Sequence, residues 1–146
     1  MAKLIFVNLP VRDLAQATSF YQAVGAQKND QFSDHTACCM VLSETINVML
    51  LTHDKFRQFT PKAIADAKAT SEVLICISAD TREDVDATVE KAGAAGGTVD
   101  PGPVQDHGFT YGRSFEDPDG HIWEVMWMDV AAAQAAMSKS PERAET

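Results

Sequence analysis

The sequence predicts an α+β domain in which a unit of one strand, one helix and further strands occurs twice. Each half opens with a short apolar strand, Leu4 to Val11 in the first and Val73 to Ser78 in the second. Each half also closes on an apolar strand, Val48-Met49-Leu50-Leu51 and then Trp123-Glu124-Val125-Met126. An internal repeat of this kind determines the fold class, because two copies of one unit pack into a single domain.

Size and composition indicate one compact domain in residues 1–129. The chain has 146 residues, of which 45% are hydrophobic and 23% charged, and this suffices for a real core. The net charge of -9 argues against binding to nucleic acid or to an anionic membrane surface. Three cysteines without a C-x-x-C pair indicate neither a disulfide framework nor a thiolate zinc site, and we expect a cytoplasmic protein.

Module one covers residues 1–52. Asp13 is a good N-cap, with Gln16 as its capping-box partner, and Gly25 ends the helix. Two strands follow, about Ala37 to Leu42 and Ile46 to Thr52, with a turn between them. The apolar residues that share one face of the helix are Leu14, Ala17, Tyr21 and Val24.

The connector covers residues 53–71 and is predicted to contain a short helix. Thr60-Pro61 has the residue types of an N-cap and a first helical position. The helix is then expected from Lys62 to Ala69.

Module two covers residues 72–129. Asp80 is the expected cap of its helix, with Glu83 at the reciprocal position, and Gly96-Gly97 end it. Phe109 to Phe115 and His121 to Met128 are predicted to form a hairpin, because Asp117-Pro-Asp-Gly between them is typical of a turn. The buried helix face consists of Val85, Val89 and Ala92.

An Ala-rich tail covers residues 130–146. It is expected to continue as a helix for two or three turns. From Ser138 onward, charged and small residues predict disorder.

Three stretches together resemble the vicinal oxygen chelate superfamily, which contains glyoxalase I, extradiol dioxygenases and bleomycin and fosfomycin resistance proteins. They are Leu9 to Leu14, Ser19-Phe20-Tyr21, and Phe115 to Glu124. The resemblance spans about residues 3–129 and implies two βαβββ modules whose curved sheets enclose a ligand cavity. The connector from Phe56 to Ala69 and the run Tyr111 to Phe115 resemble the lactoylglutathione lyase-like branch.

The resemblance also implies four metal-ligand positions, a His and a Glu in each module. In this sequence they fall on Phe6, Met49 (or Val48 if the register shifts by one), Leu74 and Glu124. One carboxylate cannot hold a catalytic divalent ion, which needs at least three nitrogen or oxygen ligands. We therefore expect no metal and no cofactor, and the Lewis acid that would stabilise an enediolate is missing.

Glu124 is the strongest candidate for a functional residue. Strand alternation puts it on the opposite face from Trp123 and Val125, so it is expected to face the cavity. A buried carboxylate is costly unless it is paired. Glu124 is therefore a catalytic candidate or, alternatively, a structural partner of Arg113.

Tyr111 and Arg113 precede Glu124 by one strand and share a face with each other. They can orient a polar or anionic ligand, or they can belong to an exposed hairpin. His121 is expected to bond the turn backbone as a structural residue. The candidate ligand-binding residues are Phe6, Asn8, Met49, Leu74, Tyr111, Arg113 and Glu124.

Three functions are compatible with these residues. The first is a metal-free protein that binds a small organic molecule in a largely apolar cavity. The second is a lyase or isomerase, similar to lactoylglutathione lyase, that uses Glu124 as general base. The third is a structural or partner-binding protein whose apolar side chains fill the cavity. A homodimer is expected in each case, because open sheet edges tend to pair.

Overall fold

The computed structural model describes residues 2–138. Its first half contains β1 (Ile5–Val11), α1 (Leu14–Ala23), β2 (Gln27–Asn29), β3 (Ala37–Val41), β4 (Ile46–Thr52) and α2 (His53–Arg57). Its second half contains β5 (Ile75–Ser78), α3 (Arg82–Ala94), β6 (Thr98–Val99), β7 (Gln105–Asp106), β8 (Thr110–Glu116), β9 (Ile122–Met128) and α4 (Val130–Ser138).

The strands form two sheets of the same design. Sheet A has the order β1-β4-β3-β2, and sheet B has the order β5-β9-β8-β6 with β7 paired to β8. In each sheet the first strand of the unit runs parallel to the last, β1 beside β4 and β5 beside β9. The predicted α+β fold with a repeated unit is confirmed.

A single core joins the two modules through α1. Phe20 of α1 lies with its ring centroid 5.9 Å from that of Phe115, and Tyr21 lies 5.9 Å from Trp123. Helix α1 therefore packs against both sheets, and the buried apolar residues of the two modules form one cluster. We call the sheet faces that take part in this core the inner faces, and the opposite faces the outer faces.

A buried carboxylate ties the second hairpin to α1. Asp117 is 1% exposed. Its Oδ2 accepts a hydrogen bond from the Tyr21 hydroxyl at 2.6 Å, and its Oδ1 accepts from the backbone N–H groups of Asp119 and His121 at 2.9 Å each. The Trp123 indole N–H in turn donates to the Tyr21 oxygen at 2.9 Å. Both oxygens of the buried Asp117 carboxylate are thereby hydrogen-bonded.

The two long helices begin at different kinds of residue. Asp13 caps α1 by accepting from the N–H of Gln16, as predicted. The prediction for α3 was wrong by one residue: Thr81, not Asp80, is extended and accepts from Asp84 N. Both residue types are good caps, so the sequence alone does not choose between them.

On α1, Phe20 is buried beside Ala17 and Tyr21, whereas the predicted Leu14 and Val24 are half-buried.

The predicted helix from Lys62 to Ala69 is wrong. The connector helix is α2, and Thr52 caps it by accepting from Lys55 N. Thr60 does accept a cap-like bond from Lys62 N, yet no helix follows. Residues 66–70 form a turn whose backbone lies directly against Gly120. This tertiary contact overrides the weak local preference for a helix.

The short strands β2, β6 and β7 were not predicted. They have two or three residues each and are too short to show an alternating pattern. The tail helix is confirmed as α4, whereas the disorder prediction concerns residues that, except for Ser138, lie outside the described range. Of the helices within residues 2–138, none has the length and hydrophobicity needed to cross a bilayer.

Candidate functional site on the outer sheet faces

Strand β9 places Glu124 on the outer face of sheet B. Trp123 and Val125 are 1% exposed and belong to the core, whereas Glu124 between them is half-buried. Glu124 lies level with Cys76 of β5 and with Ser114 of β8. The predicted direction of Glu124, away from Trp123 and Val125, is confirmed.

Arg113 lies on the inner face and does not pair with Glu124. The hairpin register sets Arg113 level with Val125, a core residue. Its guanidinium donates to Asp100 at 2.7 Å, to Asp86 at 3.0 Å and to Glu90 at 3.2 Å. These carboxylates hold the pKa of Arg113 above its usual range. The alternative in which Glu124 is a structural partner of Arg113 is therefore wrong.

Tyr111 shares the inner face with Arg113, as the i, i+2 spacing predicted. Its hydroxyl donates to Asp86 at 2.5 Å, and the Arg82 guanidinium lies 4.4 Å from its ring centroid. The hydrogen bond from Tyr111, and to a smaller extent the bond from Arg113, lower the pKa of Asp86, whereas desolvation raises it. The Tyr111 hydroxyl is therefore hydrogen-bonded to helix α3, and Tyr111 does not line the cavity that contains Glu124.

A cavity of about 220 Å³ lies on the outer face of sheet B, and we call it the Glu124 cavity. Glu124, Cys76 and Ser114 line it together with the loop 101–103. Burial, and then the charge of Glu124, raise the pKa of the Cys76 thiol. The thiol is therefore protonated at neutral pH, which disfavours a nucleophilic role.

The candidate residues of module one lie on the outer face of sheet A. Asn8 is level with Met49, and Phe6 is half-exposed at 50%. Leu74 and Glu124 line the Glu124 cavity, whereas Phe6, Met49 and Tyr111 do not. Arg113 also borders this cavity, but its guanidinium is bonded to Asp86 and Asp100 on the inner face. The structure therefore does not bring the seven predicted residues together within one chain.

The internal repeat also shows which positions of module one correspond to which positions of module two. Cys76 lies level with Glu124 in one parallel pair, just as Asn8 lies level with Met49 in the other. Met49, not Val48, is thus the counterpart of Glu124, because Val48 is fully buried on the inner face.

The residues at the four family positions do not fit a divalent ion. Phe6, Met49 and Leu74 offer no nitrogen or oxygen ligand, and only Glu124 carries a carboxylate. Within residues 2–138, no group of three or more His, Cys, Asp or Glu side chains is arranged to hold a metal.

A larger cavity of about 460 Å³, which we call the connector cavity, lies under residues 60–73. Asn8 of β1 lines it, as does His121 at the start of β9. The His121 Nε2 bonds the Pro10 carbonyl at 2.8 Å, and its backbone N–H donates to Asp117. His121 is thus a structural residue as predicted, but its side chain bonds β1 and not the backbone of the turn. No local sequence signal indicated the cavity, because its walls come from distant segments.

A family model matches most of the chain. The glyoxalase/bleomycin resistance protein/dioxygenase superfamily model matches residues 3–125. The chain therefore belongs to this superfamily, as the motifs predicted. No curated protein matches the chain in sequence.

Solved structures support the same fold. A hypothetical protein from S. aureus is 28% identical with a TM-score of 0.72, and the match covers 87% of this chain and 94% of that chain. A glyoxalase/bleomycin resistance protein/dioxygenase family enzyme from Burkholderia phytofirmans is 23% identical with a TM-score of 0.70, over 87% and 99% of the two chains. The fosfomycin resistance protein FosX from Mesorhizobium loti is 18% identical with a TM-score of 0.64, over 92% and 98%.

Proposed function

We propose that this protein binds a small organic molecule on the outer face of sheet B without using a metal ion. The observation that carries the proposal is Glu124. It is half-buried in a cavity, and among the described residues it has neither an ion-pair partner nor a side-chain hydrogen bond. A carboxylate that has lost part of its hydration without gaining a protein partner is suited to bind a donor group of a ligand.

The surroundings of Glu124 favour a ligand with an apolar body. Leu74 and Met126 line the same cavity, and Pro101 and Pro103 form part of its rim. Small-molecule sites typically combine such apolar walls with a few polar groups. We therefore propose a flat or apolar molecule with an amine or another hydrogen-bond donor directed at Glu124.

The site is proposed to be completed by a second copy of the chain. A volume of about 220 Å³ is below the ~300–1,000 Å³ of typical ligand sites. Leu74, directly before β5, is 55% exposed, and Phe6 on sheet A is 50% exposed. Because the core lies between the inner faces, one chain cannot close its own outer faces over each other. A homodimer that sets sheet A of one copy over sheet B of the other would cover both.

The first prediction concerns this dimer. We expect sedimentation equilibrium at micromolar concentration to give the mass of two chains. Phe6→Asp should weaken dimerisation by about tenfold or more, since it places a charge in an apolar interface. Phe32→Asp is the matched control, because Phe32 is also exposed, at 65%, but belongs to the short helical turn after β2 and does not line the Glu124 cavity. A wild-type protein that sediments only as monomer would contradict the proposal.

The second prediction concerns Glu124→Gln. Because Glu124 has no ion-pair partner in the described chain, its neutralisation should leave the melting temperature unchanged or slightly raised. Ligands with an amine group that raise the melting temperature of wild type should lose that effect. Thermal melts with a library of planar drugs and small carbonyl compounds measure both quantities.

The control for this experiment is Glu83→Gln. Glu83 is an exposed carboxylate in the first turn of α3, so this variant should lose only about 0.3–1 kcal/mol of helix stabilisation and match wild type in every ligand shift. If Glu124→Gln also matches wild type for every compound that binds, Glu124 is not part of the site.

A lyase or isomerase is the second candidate function, related to the lactoylglutathione lyase-like branch that the motifs resemble. The unpaired carboxylate favours it, because a general base must be free to accept a proton next to a carbonyl. Deuterium exchange into small carbonyl compounds, followed by NMR in D₂O, tests this reaction. Exchange that depends on Glu124 would favour the enzyme over the binding protein.

The third prediction concerns metal content. We expect purified protein to contain no stoichiometric divalent metal, since three of the four family positions lack a suitable ligand atom. Elemental analysis of wild type and Glu124→Ala provides the measurement. One metal per chain in wild type that disappears in Glu124→Ala would overturn metal independence.

A further inference from the structure

The connector cavity is separate from the site proposed at Glu124. Its walls come from β1, the connector and the start of β9, and it shares only Ile122 with the Glu124 cavity. Its volume of about 460 Å³ falls within the ~300–1,000 Å³ range of small-molecule sites. Val7, Phe56 and Ile75 are among the residues that give it apolar walls.

Two opposite charges line this cavity. Lys62 and Glu72 lie near the two ends of the connector segment that covers it, and both are exposed at its rim. Within residues 2–138, Lys62 and Glu72 form no ion pair with each other or with any other charged group. Among the described residues, the lining of the cavity therefore combines one unpaired cation and one unpaired carboxylate with apolar side chains.

His121 adds a fixed polar group to the wall. A carbonyl oxygen can only accept, so the His121 Nε2 that bonds the Pro10 carbonyl carries the hydrogen. Whenever the ring is neutral, its Nδ1 is an acceptor, and among the described residues no side chain bonds that atom. The ring orientation is set by its bond to β1, so this acceptor is positioned before any ligand arrives.

The connector over the cavity is held in place. The turn at residues 66–70 packs its backbone against Gly120, and Lys68 pairs with Glu116 at 3.6 Å. Lys62 and Glu72 therefore flank a segment that is anchored at its middle.

From this arrangement we propose that the connector cavity is a second ligand site, which takes a zwitterionic molecule with an apolar body. Lys62 binds the carboxylate of the ligand, Glu72 binds its ammonium group, and the apolar walls contact the part between them. A dipeptide with two apolar side chains has this chemistry. The proposal does not depend on any role of Glu124.

The test uses leucyl-phenylalanine and two capped forms in isothermal titration calorimetry with the full chain. N-acetylation removes the ammonium charge, and C-terminal amidation removes the carboxylate. Wild type is expected to bind the free dipeptide about fivefold more tightly than either capped form, which is the size expected for a rim charge pair.

The charge variants should lose these preferences selectively. Lys62→Gln should bind the free dipeptide and its C-terminal amide equally well, while it still prefers the free amine over the acetylated form. Glu72→Gln should show the reverse pattern. Both side chains are exposed, so both variants are expected to fold, and circular dichroism melts verify this. Glu44→Gln, which changes an exposed carboxylate outside the linings of both cavities, should bind all three peptides as wild type does.

Three results of the titrations would overturn the proposal. No saturable binding of the free dipeptide to wild type overturns the proposal. Equal affinity for free and capped forms overturns it as well, because the charges then play no part. Binding that Glu124→Gln abolishes would place the peptide at the other cavity and would also overturn it.

Discussion

Replacing Asp117 by Ala is expected to destabilise the fold by about 3–5 kcal/mol, because it breaks a buried polar network from its centre. The carboxylate accepts hydrogen bonds from Tyr21, Asp119 and His121. Without it, the buried Tyr21 hydroxyl and two partly buried turn N–H groups lose their acceptor, which costs free energy for each group. Urea denaturation of the variant gives the change in the free energy of unfolding.

Tyr21→Phe is the matched control for this network. It removes one hydrogen bond to Asp117 and leaves the two backbone bonds of the turn intact. The expected loss is about 1–3 kcal/mol, including the indole N–H of Trp123 that loses its acceptor. If Asp117→Ala costs no more than Tyr21→Phe, the turn does not depend on the carboxylate.

The Asp117 carboxyl also makes the stability of the fold depend on pH, in a direction that follows from its pKa. Burial raises the pKa of Asp117 more than the charge of His121 and the hydrogen bonds lower it. The folded state then binds the proton more tightly than the unfolded state, whose pKa is about 3.9. This contribution to stability is fully present below that unfolded pKa and is lost as the pH rises through the raised folded pKa.

Asp117→Asn isolates this contribution. Asp34 and Asp106 have lowered pKa values, mainly because of hydrogen bonds from Thr36 and Arg82 respectively, and they act in the opposite direction on total stability. The difference between wild type and Asp117→Asn removes their effects. We expect that difference in unfolding free energy to decrease as the pH rises from about 4. A difference that increases with pH would contradict the assignment.

Gly120→Ala is the second substitution with a large expected effect. Gly120 has φ = +100°, and a Cβ atom there would lie 2.6 Å from the backbone of Ala67 and Lys68. The substitution combines an unfavourable backbone conformation with a clash that no side-chain rotation can relieve. We expect a loss of about 3 kcal/mol or more, together with displacement of the connector.

Gly96→Ala is the control for the backbone conformation. Gly96 has nearly the same torsion, φ = +102°, but no atom lies within 4 Å of its added Cβ. It should therefore cost only about 1–2 kcal/mol. Denaturation measures both variants, and hydrogen exchange at residues 66–70 reports on the connector. Equal losses in the two variants would mean that the contact of Gly120 with the connector is unimportant.

Much of the fold could be predicted because its signals are local or repeated. The opening and closing strands of each half, the Asp13 cap and the hairpin turn all follow from short patterns. The direction of Glu124 also followed, because alternation along one strand depends only on its neighbours in sequence. The family likeness rests on the same stretches.

The side of the sheet on which Arg113 lies could not be predicted in this way. Alternation relates Arg113 to Tyr111 within β8, but the relation to Glu124 depends on the pairing of two strands. The hairpin register sets Arg113 level with Val125 and Ser114 level with Glu124. A shift of one residue reverses every side chain, so an uncertain register leaves the partner of Arg113 open.

The sequence by itself therefore determined the repeated α+β unit, its family and the carboxylate on the outer face of β9. Only the tertiary structure decided the path of the connector, the inner position of Arg113 and the separation of Phe6 and Met49 from Glu124. The physical reason is the range of the interactions. Caps, turns and alternation act between near neighbours in the chain, whereas these outcomes depend on contacts such as Gly120 with Ala67, which join segments far apart in sequence.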